Sequence, residues 1–314
     1  MMSQYRNNLS SVLSRTLMSD GGMETTLMFH QGVVLPGMAA FPLLRDDAGT
    51  NILRRYYTRY AELARTHGMG FMLETPTWRA SRRWAEPLGY DTKALADVNR
   101  LGVGLMLEIR DRFEAPGRPL VVSGNIGPRG DGYFPDHVMT ADEARDYHSE
   151  QVATFASTDV DLVSAFTLNY VDEAIGVVRA AGEHAMPVVI SFTVETDGRL
   201  PSGDTLADAI ARTDEATTGH ASYYMLNCAH PAHFASVLKQ GGGWLGRLQG
   251  LRANSSKRSH AELDNSPEID EGNPEELGSE YRELRDALPK LTVVGGCCGT
   301  DHRHVDAICR HLAA

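Results

Sequence analysis

The chain has 314 residues, of which 42% are hydrophobic and 23% charged, an ordinary composition for a globular protein with a large core. Thirty basic against 41 acidic residues give a formal net charge of −11. An acidic chain without a cluster of lysines and arginines is a poor match for nucleic acid or an anionic membrane surface, so neither partner is expected. No segment approaches the roughly 18 consecutive apolar residues of a membrane span. The first 18 residues also lack the apolar stretch of a secretory signal, and we therefore expect a cytoplasmic protein.

Short apolar segments alternate with helical patterns along the whole chain. The predicted strands are Thr16–Met18, Gly70–Leu73, Leu120–Ser123, Asp161–Ala165, Val188–Phe192, Tyr223–Leu226, Gly246–Leu251 and Leu291–Val294. The predicted helices are Asn51–Thr66, Thr92–Arg112, Ala141–Ser157, Val171–Ala181, Thr205–Ala216, Pro231–Gln240, Pro274–Leu288 and His302–Leu312. Alternating strands and helices imply parallel strands with right-handed crossovers. Eight such units predict a single-domain (β/α)8 TIM barrel of the α/β class over residues 1–314, with an open doubly wound sheet as the alternative.

One segment interrupts the alternation. Residues 255–273 are polar and charged and show no apolar period. They are predicted to form a long surface loop after the seventh strand, inserted into the barrel domain.

Polar residues and glycines collect where the predicted strands end. They are Asp20, Gly21, Gly22 and Glu24 after the first strand, Glu74 and Thr75 after the second, Asn125 after the third, Glu195 after the fifth, Asn227 and Cys228 after the sixth, and Cys297 and Cys298 after the eighth. In a barrel these points share the C-terminal mouth, where active sites are built. We therefore predict that the catalytic and substrate-binding groups come from this set.

Three of the four cysteines are predicted to bind one zinc ion. Thiols stay reduced in the cytosol, and adjacent cysteines such as Cys297 and Cys298 rarely form a disulfide with each other. Neighbours on a regular strand face opposite sides, but the glycines around this pair allow a turn that brings both sulfurs towards Cys228. Three protein ligands with one open position are typical of catalytic zinc. Cys309, among apolar residues of the last helix, is expected to be a core residue.

Four histidines near these cysteines are predicted to be surface residues. His230 and His233 flank the start of a helix that Pro231 begins, and His302 and His304 begin the last helix. Filling of the fourth zinc position by His230 in the absence of substrate is the alternative.

The motifs together resemble the zinc-dependent homocysteine S-methyltransferase family from about Asp20 to His304. The sequence GGCCGT at 295–300 with the upstream LNC at 226–228 is the specific pair, and DGGMET, ETPTWRAS and SGNIGP accompany it. The resemblance implies a (β/α)8 barrel that transfers a methyl group to the thiol of homocysteine, giving methionine. It also implies that Cys228, Cys297 and Cys298 hold the zinc.

The implied partners are a small thiol acceptor and a donor whose methyl group is carried by a sulfonium or ammonium ion. A metal-bound thiol is deprotonated and attacks the methyl group in line. The chain is shorter than the folate-, cobalamin- and betaine-dependent members, so S-methylmethionine is expected first and S-adenosylmethionine second. Trp78, Tyr133 and Phe29 either offer π faces to the donor cation or simply pack.

Two positions depart from the family pattern. Phe166 stands where the family usually has a glutamate that holds the amino group of homocysteine, and a phenyl ring cannot form that salt bridge. Either another carboxylate replaces it, or the acceptor is a different thiol. The candidate replacements are Glu195, Glu24 and Asp20. The second departure is Arg252-Ala253-Asn254-Ser255, where relatives tend to have a Pro-Asn-Ala-Gly type turn.

Several functional alternatives stay open from the sequence. Betaine is an alternative donor. A zinc hydrolase would hold water at the open position, although three thiolates activate water poorly compared with histidines. A zinc- or thiol-binding protein without catalysis is a third class. The fourth zinc ligand at rest and the oligomeric state, including a homo-oligomer, do not follow from the sequence.

Overall fold

The computed structural model describes residues 3–313, apart from the side chain of Asp264. Eight parallel strands form a closed barrel in sequence order, with the eighth strand paired to the first. The strands are β1 (Leu17–Met18), β2 (Gly70–Glu74), β3 (Leu120–Ile126), β4 (Leu162–Leu168), β5 (Val188–Phe192), β6 (Ala221–Asn227), β7 (Leu248–Ala253) and β8 (Val293–Gly296). The predicted (β/α)8 barrel is confirmed, and the open sheet is wrong.

Helices connect the strands and pack on the outside of the barrel. The α-helices are α1 (Leu9–Val12), α2 (Met23–Thr25), α3 (Asp47–Thr66), α4 (Arg82–Ala85), α5 (Thr92–Phe113), α6 (Ala141–Ala156), α7 (Val171–Glu183), α8 (Leu206–Thr217), α9 (Pro231–Lys239), α10 (His260–Asp264), α11 (Pro274–Ala287) and α12 (His302–Ala313). A π-helical turn covers Thr26–His30, and 3-10 turns cover Pro36–Met38, Phe41–Arg45, Glu86–Leu88 and Gly243–Arg247. None of the helices in the described part of the chain combines the length and apolarity needed to cross a bilayer.

The strands are buried on both faces, which explains their nearly continuous apolar sequences. One hydrophobic cluster lies between the strands and the outer helices. A second fills the barrel interior and is made of alternate strand residues such as Met72, Leu162 and Tyr223, with Phe166 at its upper edge. The barrel is therefore packed inside, and only its C-terminal mouth is open to a ligand.

The N-terminal end of the barrel is closed by the first residues of the chain. Leu9 and Val12 of α1 pack against the interior cluster. Beside them Asp161, which is fully buried, pairs with Arg110 at 3.1 Å. Its Oδ1 accepts a hydrogen bond from the backbone N–H of Tyr5 at 2.7 Å, and its Oδ2 accepts one from that of Val122 at 2.9 Å. Both oxygens of this carboxylate are thus satisfied within the protein.

The predicted elements differ from the observed ones in two places that bear on the site. The seventh strand begins and ends two residues later than predicted, because Gly243–Arg247 form a 3-10 turn. The predicted loop 255–273 contains helix α10, which begins at a reciprocal capping box between Ser259 and Glu262. This five-residue helix is too short to show an apolar period in the sequence.

Candidate functional site

Most of the residues predicted for the site surround one cavity of ≈ 130 Å³ at the C-terminal mouth. Its lining includes Asp20, Gly21, Gly22, Glu24, Glu74, Thr75, Asn125, Phe166, Asn227, Cys228, Cys297 and Cys298. Glu195 is not among the described residues that line it, and its carboxylate instead contacts Nδ1 of His260 at 3.2 Å. Residues from seven strand ends therefore meet at one site.

Three cysteine thiols form a compact cluster in the wall of this cavity. The Sγ of Cys228 lies 2.9 Å from that of Cys297 and 3.5 Å from that of Cys298, and all three sulfurs lie within 4.8 Å of one another. Cys228 has φ = 57°, a left-handed conformation that L-residues with side chains rarely adopt. This backbone turns its sulfur off the line of β6 and towards the other two.

A turn beyond β8 makes the two adjacent cysteines converge. The strand ends at Gly296, and the N–H of Thr300 closes the turn on the carbonyl oxygen of Cys297 at 3.0 Å. Gly22 packs so closely here that a Cβ at that position would lie 2.5 Å from the same carbonyl oxygen. Glycine at position 22 thus allows the loop after β1 to support the cysteine turn.

The cluster is suited to a zinc ion. Tetrahedral zinc with thiolate ligands separates the sulfurs by roughly 3.5–4 Å, so the observed positions need only a small expansion. All four cysteines of the chain are free, so the cluster thiols are not engaged in a disulfide. Three thiols and no carboxylate within the group make up a soft donor set, which zinc prefers over calcium or magnesium.

The three thiols do not titrate alike. Hydrogen bonds from Cys228 and Cys298, together with the nearby Arg252 guanidinium, hold the pKa of Cys297 well below that of an ordinary thiol. The pKa values of Cys228 and Cys298 are raised, since each shares its proton with this neighbour and is buried. Cys297 is therefore the first of the three to carry negative charge.

Asn227 connects the cluster to the fourth strand. Its Oδ1 accepts hydrogen bonds from the N–H of Thr167 at 2.9 Å and from the hydroxyl of Ser191 at 2.6 Å. Its Nδ2 donates to Thr167 Oγ1 at 2.8 Å. Thr167 has φ = 62° and lies in a bulge of β4, so Asn227 holds an irregular backbone that fixes the adjacent Phe166.

Arg252 is the cavity residue whose role the sequence did not reveal. It is buried at the end of β7, and its guanidinium carbon lies 5.2 Å from the centre of the Phe166 ring. Its Nη2 contacts Asp20 at 2.6 Å and donates to the carbonyl oxygen of Gly21 at 3.1 Å, while Nε donates to the carbonyl oxygen of Gly296 at 3.0 Å. The phenyl ring of Phe166 thus lies beside a cation.

Glu74, Glu24 and Asp131 also border the cavity. Burial raises the pKa of Glu74 and of Glu24 to about 7. Asp20 is already engaged, since its second oxygen accepts a hydrogen bond from the hydroxyl of Tyr56 at 3.0 Å. Asn125 also lines the cavity, and its Oδ1 has no hydrogen-bond partner in the described part of the chain.

Tyr133 and Trp78 form the aromatic part of the wall. The hydroxyl of Tyr133 lies 3.1 Å from Cys228 Sγ and 3.8 Å from Cys298 Sγ, and its ring stacks on that of His260 with centroids 3.9 Å apart. Trp78 donates from Nε1 to the carbonyl oxygen of Phe166 at 3.3 Å. Both rings line the cavity, and their contact with a donor cation stays a prediction.

A second cavity of ≈ 220 Å³ lies on the other side of Tyr133. It is lined by Met28, Phe29 and Met38 from the region after β1, by Leu263 and Ile269 from segment 255–273, and by Cys298. Cys298 and Tyr133 therefore border both cavities. The segment predicted as a surface loop contributes a wall of this second space.

Three of the four histidines predicted at the surface are buried, so that prediction is wrong for them. His230 accepts a hydrogen bond on Nδ1 from the N–H of Ala232 at the start of α9, at 3.1 Å. His233 contacts the carbonyl oxygen of Lys257 at 2.9 Å, and His304 contacts that of Glu271 at 2.7 Å. These rings anchor helix ends and segment 255–273, and the cluster of possible metal ligands in the described chain does not include them.

Comparison with known proteins finds similar chains over nearly the whole length of this one. A family model described as homocysteine S-methyltransferase matches residues 17–312. Homocysteine S-methyltransferase 1 of Arabidopsis thaliana is 22% identical over 324 residues, covering 93% of this chain and 92% of the relative. Methionine synthase of Mycobacterium leprae (strain TN) is 26% identical over 343 residues, which cover 99% of this chain and 25% of that larger protein.

The fold is shared with a solved structure. The oxidized form of the homocysteine methyltransferase MmuM from Escherichia coli superimposes with a TM-score of 0.76 at 19% identity, covering 97% of this chain and 98% of that one. A metallated form of the same protein superimposes with the same score, covering 97% of this chain and 99% of that one. At this level of identity the likeness concerns the barrel architecture.

Proposed function

Since the chain belongs to the homocysteine S-methyltransferase family, we propose that it transfers a methyl group from S-methylmethionine to homocysteine with a zinc ion held by Cys228, Cys297 and Cys298. The resemblance inferred from the motifs is confirmed, and the chain is an S-methyltransferase. The metal, the donor and the roles of individual residues are the parts of this proposal that need experiments.

The observation that carries the proposal is the convergence of three thiols, one buried and two partly buried, from two distant strand ends. Packing alone does not account for it, because the left-handed backbone of Cys228 is unfavourable and the three sulfurs compete for shared protons. A bound cation removes this competition. Zinc bound there would deprotonate the acceptor thiol at neutral pH while leaving its sulfur nucleophilic.

The methyl transfer itself is a displacement at carbon. A lone pair of the acceptor sulfur forms the new S–C bond, and the S–C bond of the donor sulfonium breaks, with its electron pair left on the departing thioether. The positive charge of the donor and the negative charge of the thiolate are cancelled in the process. The cavity therefore needs to hold the reactants in line and to exclude water, and its aromatic and aliphatic walls serve both purposes.

The sulfonium donor is proposed to approach the cluster past Tyr133. Aromatic faces attract cations, and Tyr133 borders both cavities beside Cys298. S-adenosylmethionine, a larger sulfonium, is the second candidate donor. Betaine, an ammonium donor, is the remaining alternative.

A second candidate acceptor is a thiol that lacks an amino group. The specific observation in its favour is the pair formed by Phe166 and Arg252, which places an apolar ring and a cation where the family pattern has a carboxylate. An acidic thiol would be compatible with that pair without any ammonium contact.

The test measures zinc content and methionine formation together. Zinc-loaded protein is given homocysteine with S-methylmethionine, S-adenosylmethionine or betaine in turn, and turnover is expected with S-methylmethionine. Cys297→Ser is expected to lose stoichiometric zinc and to lower turnover at least about 1,000-fold, since both ligand and thiolate charge are lost. Cys309→Ala is the matched control, because Cys309 is buried in the core away from the cluster and should keep both properties. Full zinc binding by Cys297→Ser would refute the assigned site.

A further inference from the structure

Glu74 is a buried carboxylate with one unused oxygen on the floor of the main cavity. The residue is 4% exposed and lines the cavity at the end of β2. Its Oε1 accepts a hydrogen bond from the hydroxyl of Ser164 at 3.3 Å. Its Oε2 has no hydrogen-bond partner in the described part of the chain.

A buried, ionised carboxylate destabilises the protein unless a cation pairs with its free oxygen. An ionised group without partners is strongly disfavoured in a buried site, and native proteins leave few of these groups unsatisfied. Arg252 acts on Glu74 electrostatically, but its Nη2 and Nε are already engaged by Asp20, Gly21 and Gly296. A cation bound in the cavity would satisfy Oε2 and favour the ionised form of Glu74, whose pKa burial raises to about 7.

We propose that Glu74 binds the ammonium group of the thiol acceptor, taking the place of the carboxylate that Phe166 lacks. The assignment rests on the proposed function, since it concerns the acceptor of the same reaction. It makes the acceptor an amino thiol of the homocysteine type. Ser164, two residues before Phe166 on the same strand, holds the other oxygen of Glu74 and so links the two positions.

Arg252 completes the recognition of an amino acid. Its Nη1 makes no hydrogen bond within the described chain, whereas Nε and Nη2 do. The guanidinium also acts on the pKa of Cys297, so it lies near both the thiol cluster and Glu74. An acceptor with its sulfur at the cluster thus meets a cation for its carboxylate and an anion for its ammonium.

The other carboxylates are less suitable for this role. Glu195 contacts His260 and lies outside the main cavity lining. Asp20 is neutralised by Arg252 at 2.6 Å. Glu24 borders the cavity, but neither of its oxygens is a buried atom without a partner in the described part of the chain. Among the described carboxylates that line the main cavity, Glu74 is the one with a buried oxygen that lacks a hydrogen-bond partner.

The experiment compares homocysteine with 4-mercaptobutanoate, which has the same carbon chain and thiol but no amino group. Wild-type protein is expected to prefer homocysteine in kcat/KM. Glu74→Gln keeps the size and the contact with Ser164, and it should lower kcat/KM for homocysteine about 100-fold while changing that for 4-mercaptobutanoate less than about threefold, since only the charged contact is removed. Glu24→Gln should keep the wild-type ratio between the two thiols.

The outcomes distinguish a direct contact between Glu74 and the acceptor from a purely structural role of Glu74. Equal losses with both thiols in Glu74→Gln, or collapse of the ratio in Glu24→Gln instead, would overturn the assignment. If wild-type protein turns over neither thiol with any donor, the proposed function fails. Calorimetric titration of each thiol into zinc-loaded protein then decides the assignment separately: the preference for homocysteine must be present in wild type and lost in Glu74→Gln. Thermal unfolding of Glu74→Gln checks that the variant is folded.

Discussion

The two ends of the barrel each contain a buried pair of aspartate and arginine, but the two pairs are completed differently. At the N-terminal end, Asp161 is bound by Arg110 and by two backbone N–H groups, so both oxygens are used. At the C-terminal mouth, Asp20 is paired with Arg252 at 2.6 Å and accepts a hydrogen bond from the hydroxyl of Tyr56. Arg252 lines the main cavity and can meet a ligand there, whereas Asp161 and Arg110 do not line that cavity.

The same contrast extends to the neighbouring polar groups. Around the mouth, Glu74 Oε2 and Asn125 Oδ1 have no hydrogen-bond partner among the described residues, and both residues lie near the ends of their strands and line the cavity. Around Asp161, the hydroxyl of Tyr5 donates to Glu114 at 2.6 Å. Unsatisfied polar atoms in the wall of a cavity are expected of a binding site, because the ligand supplies the missing partners. We therefore interpret the polar groups at the N-terminal end as structural: they stabilise the fold and do not bind a ligand.

The largest stability effect is expected at the N-terminal end. Asp161→Ala leaves Arg110 and two backbone donors without their acceptor in a buried place, and it should lower the free energy of unfolding by about 3–5 kcal/mol. Urea denaturation measures the loss. The activity of the folded fraction should equal that of wild type, and a specific loss of turnover would contradict the proposed division between the two ends.

Asp20→Ala is the matched change at the mouth. Water from the cavity can reach Arg252, so we expect a smaller loss of stability, about 1–2 kcal/mol. Turnover should fall about 100-fold. Asp20 holds both the Arg252 guanidinium and the loop after β1 in place, and small shifts of groups that position the reactants strongly lower the reaction rate. The two losses are measured on the same preparations by denaturation and by methionine formation. A stability loss larger than that of Asp161→Ala would remove the distinction.

Two tyrosines, one at each end of the barrel, test the contrast between the ends, because a change to phenylalanine removes only one oxygen atom from each. Tyr133→Phe removes the hydroxyl that lies 3.1 Å from Cys228 Sγ and should lower turnover about tenfold, since hydrogen bonds to charged groups are worth more than neutral ones. Tyr5→Phe removes the hydroxyl that donates to Glu114 and should cost about 1 kcal/mol of stability without affecting turnover. A reversal of these two phenotypes would contradict the comparison.

The smallest effect on stability is expected for Glu280, a carboxylate of an outer helix that belongs to neither end of the barrel. Desolvation raises the pKa of Glu280 on α11 to about 7. Between pH 4.5, the ordinary pKa of a glutamate, and about pH 7, the folded state binds more protons than the unfolded state. The contribution of Glu280 to the free energy of unfolding therefore falls as the pH rises through this range. Glu280→Gln should therefore gain melting temperature relative to wild type at pH 8 but not at pH 5. The exposed Glu215→Gln on α8 serves as control, and an equal gain of Glu280→Gln at both pH values would disprove the ionisation argument.

Much of this architecture follows from simple sequence patterns. Apolar segments such as Val188–Phe192, buried on both faces, alternate with amphipathic helices, and that alternation predicts a closed parallel barrel. The glycines around Cys297 and Cys298 predict a turn, since a regular strand would separate the two sulfurs. The structure brings these thiols together with that of Cys228.

What the sequence did not reveal depends on register and on long-range contacts. Arg252 lies within β7 (Leu248–Ala253), whereas the apolar pattern ended this strand at Leu251 and left Arg252 in the following loop. Tyr133 reaches the cluster through the irregular segment after β3, which has no periodicity to interpret. The buried histidines are satisfied by carbonyl groups far away in sequence, as in His304 and Glu271. Local patterns carry none of this information.

The origin of the three thiols also bears on the order of events during synthesis. When Cys228 has been synthesised, six of the eight strands precede it in the chain. Its partners Cys297 and Cys298 are synthesised about 70 residues later, after the eighth strand. The first strand pairs with the eighth over two residues, so the seam closes late as well. A nascent or truncated chain therefore presents one isolated thiol and no chelating group. Capture of a metal ion would thus coincide with closure of the barrel, and opening of that seam would release the ion.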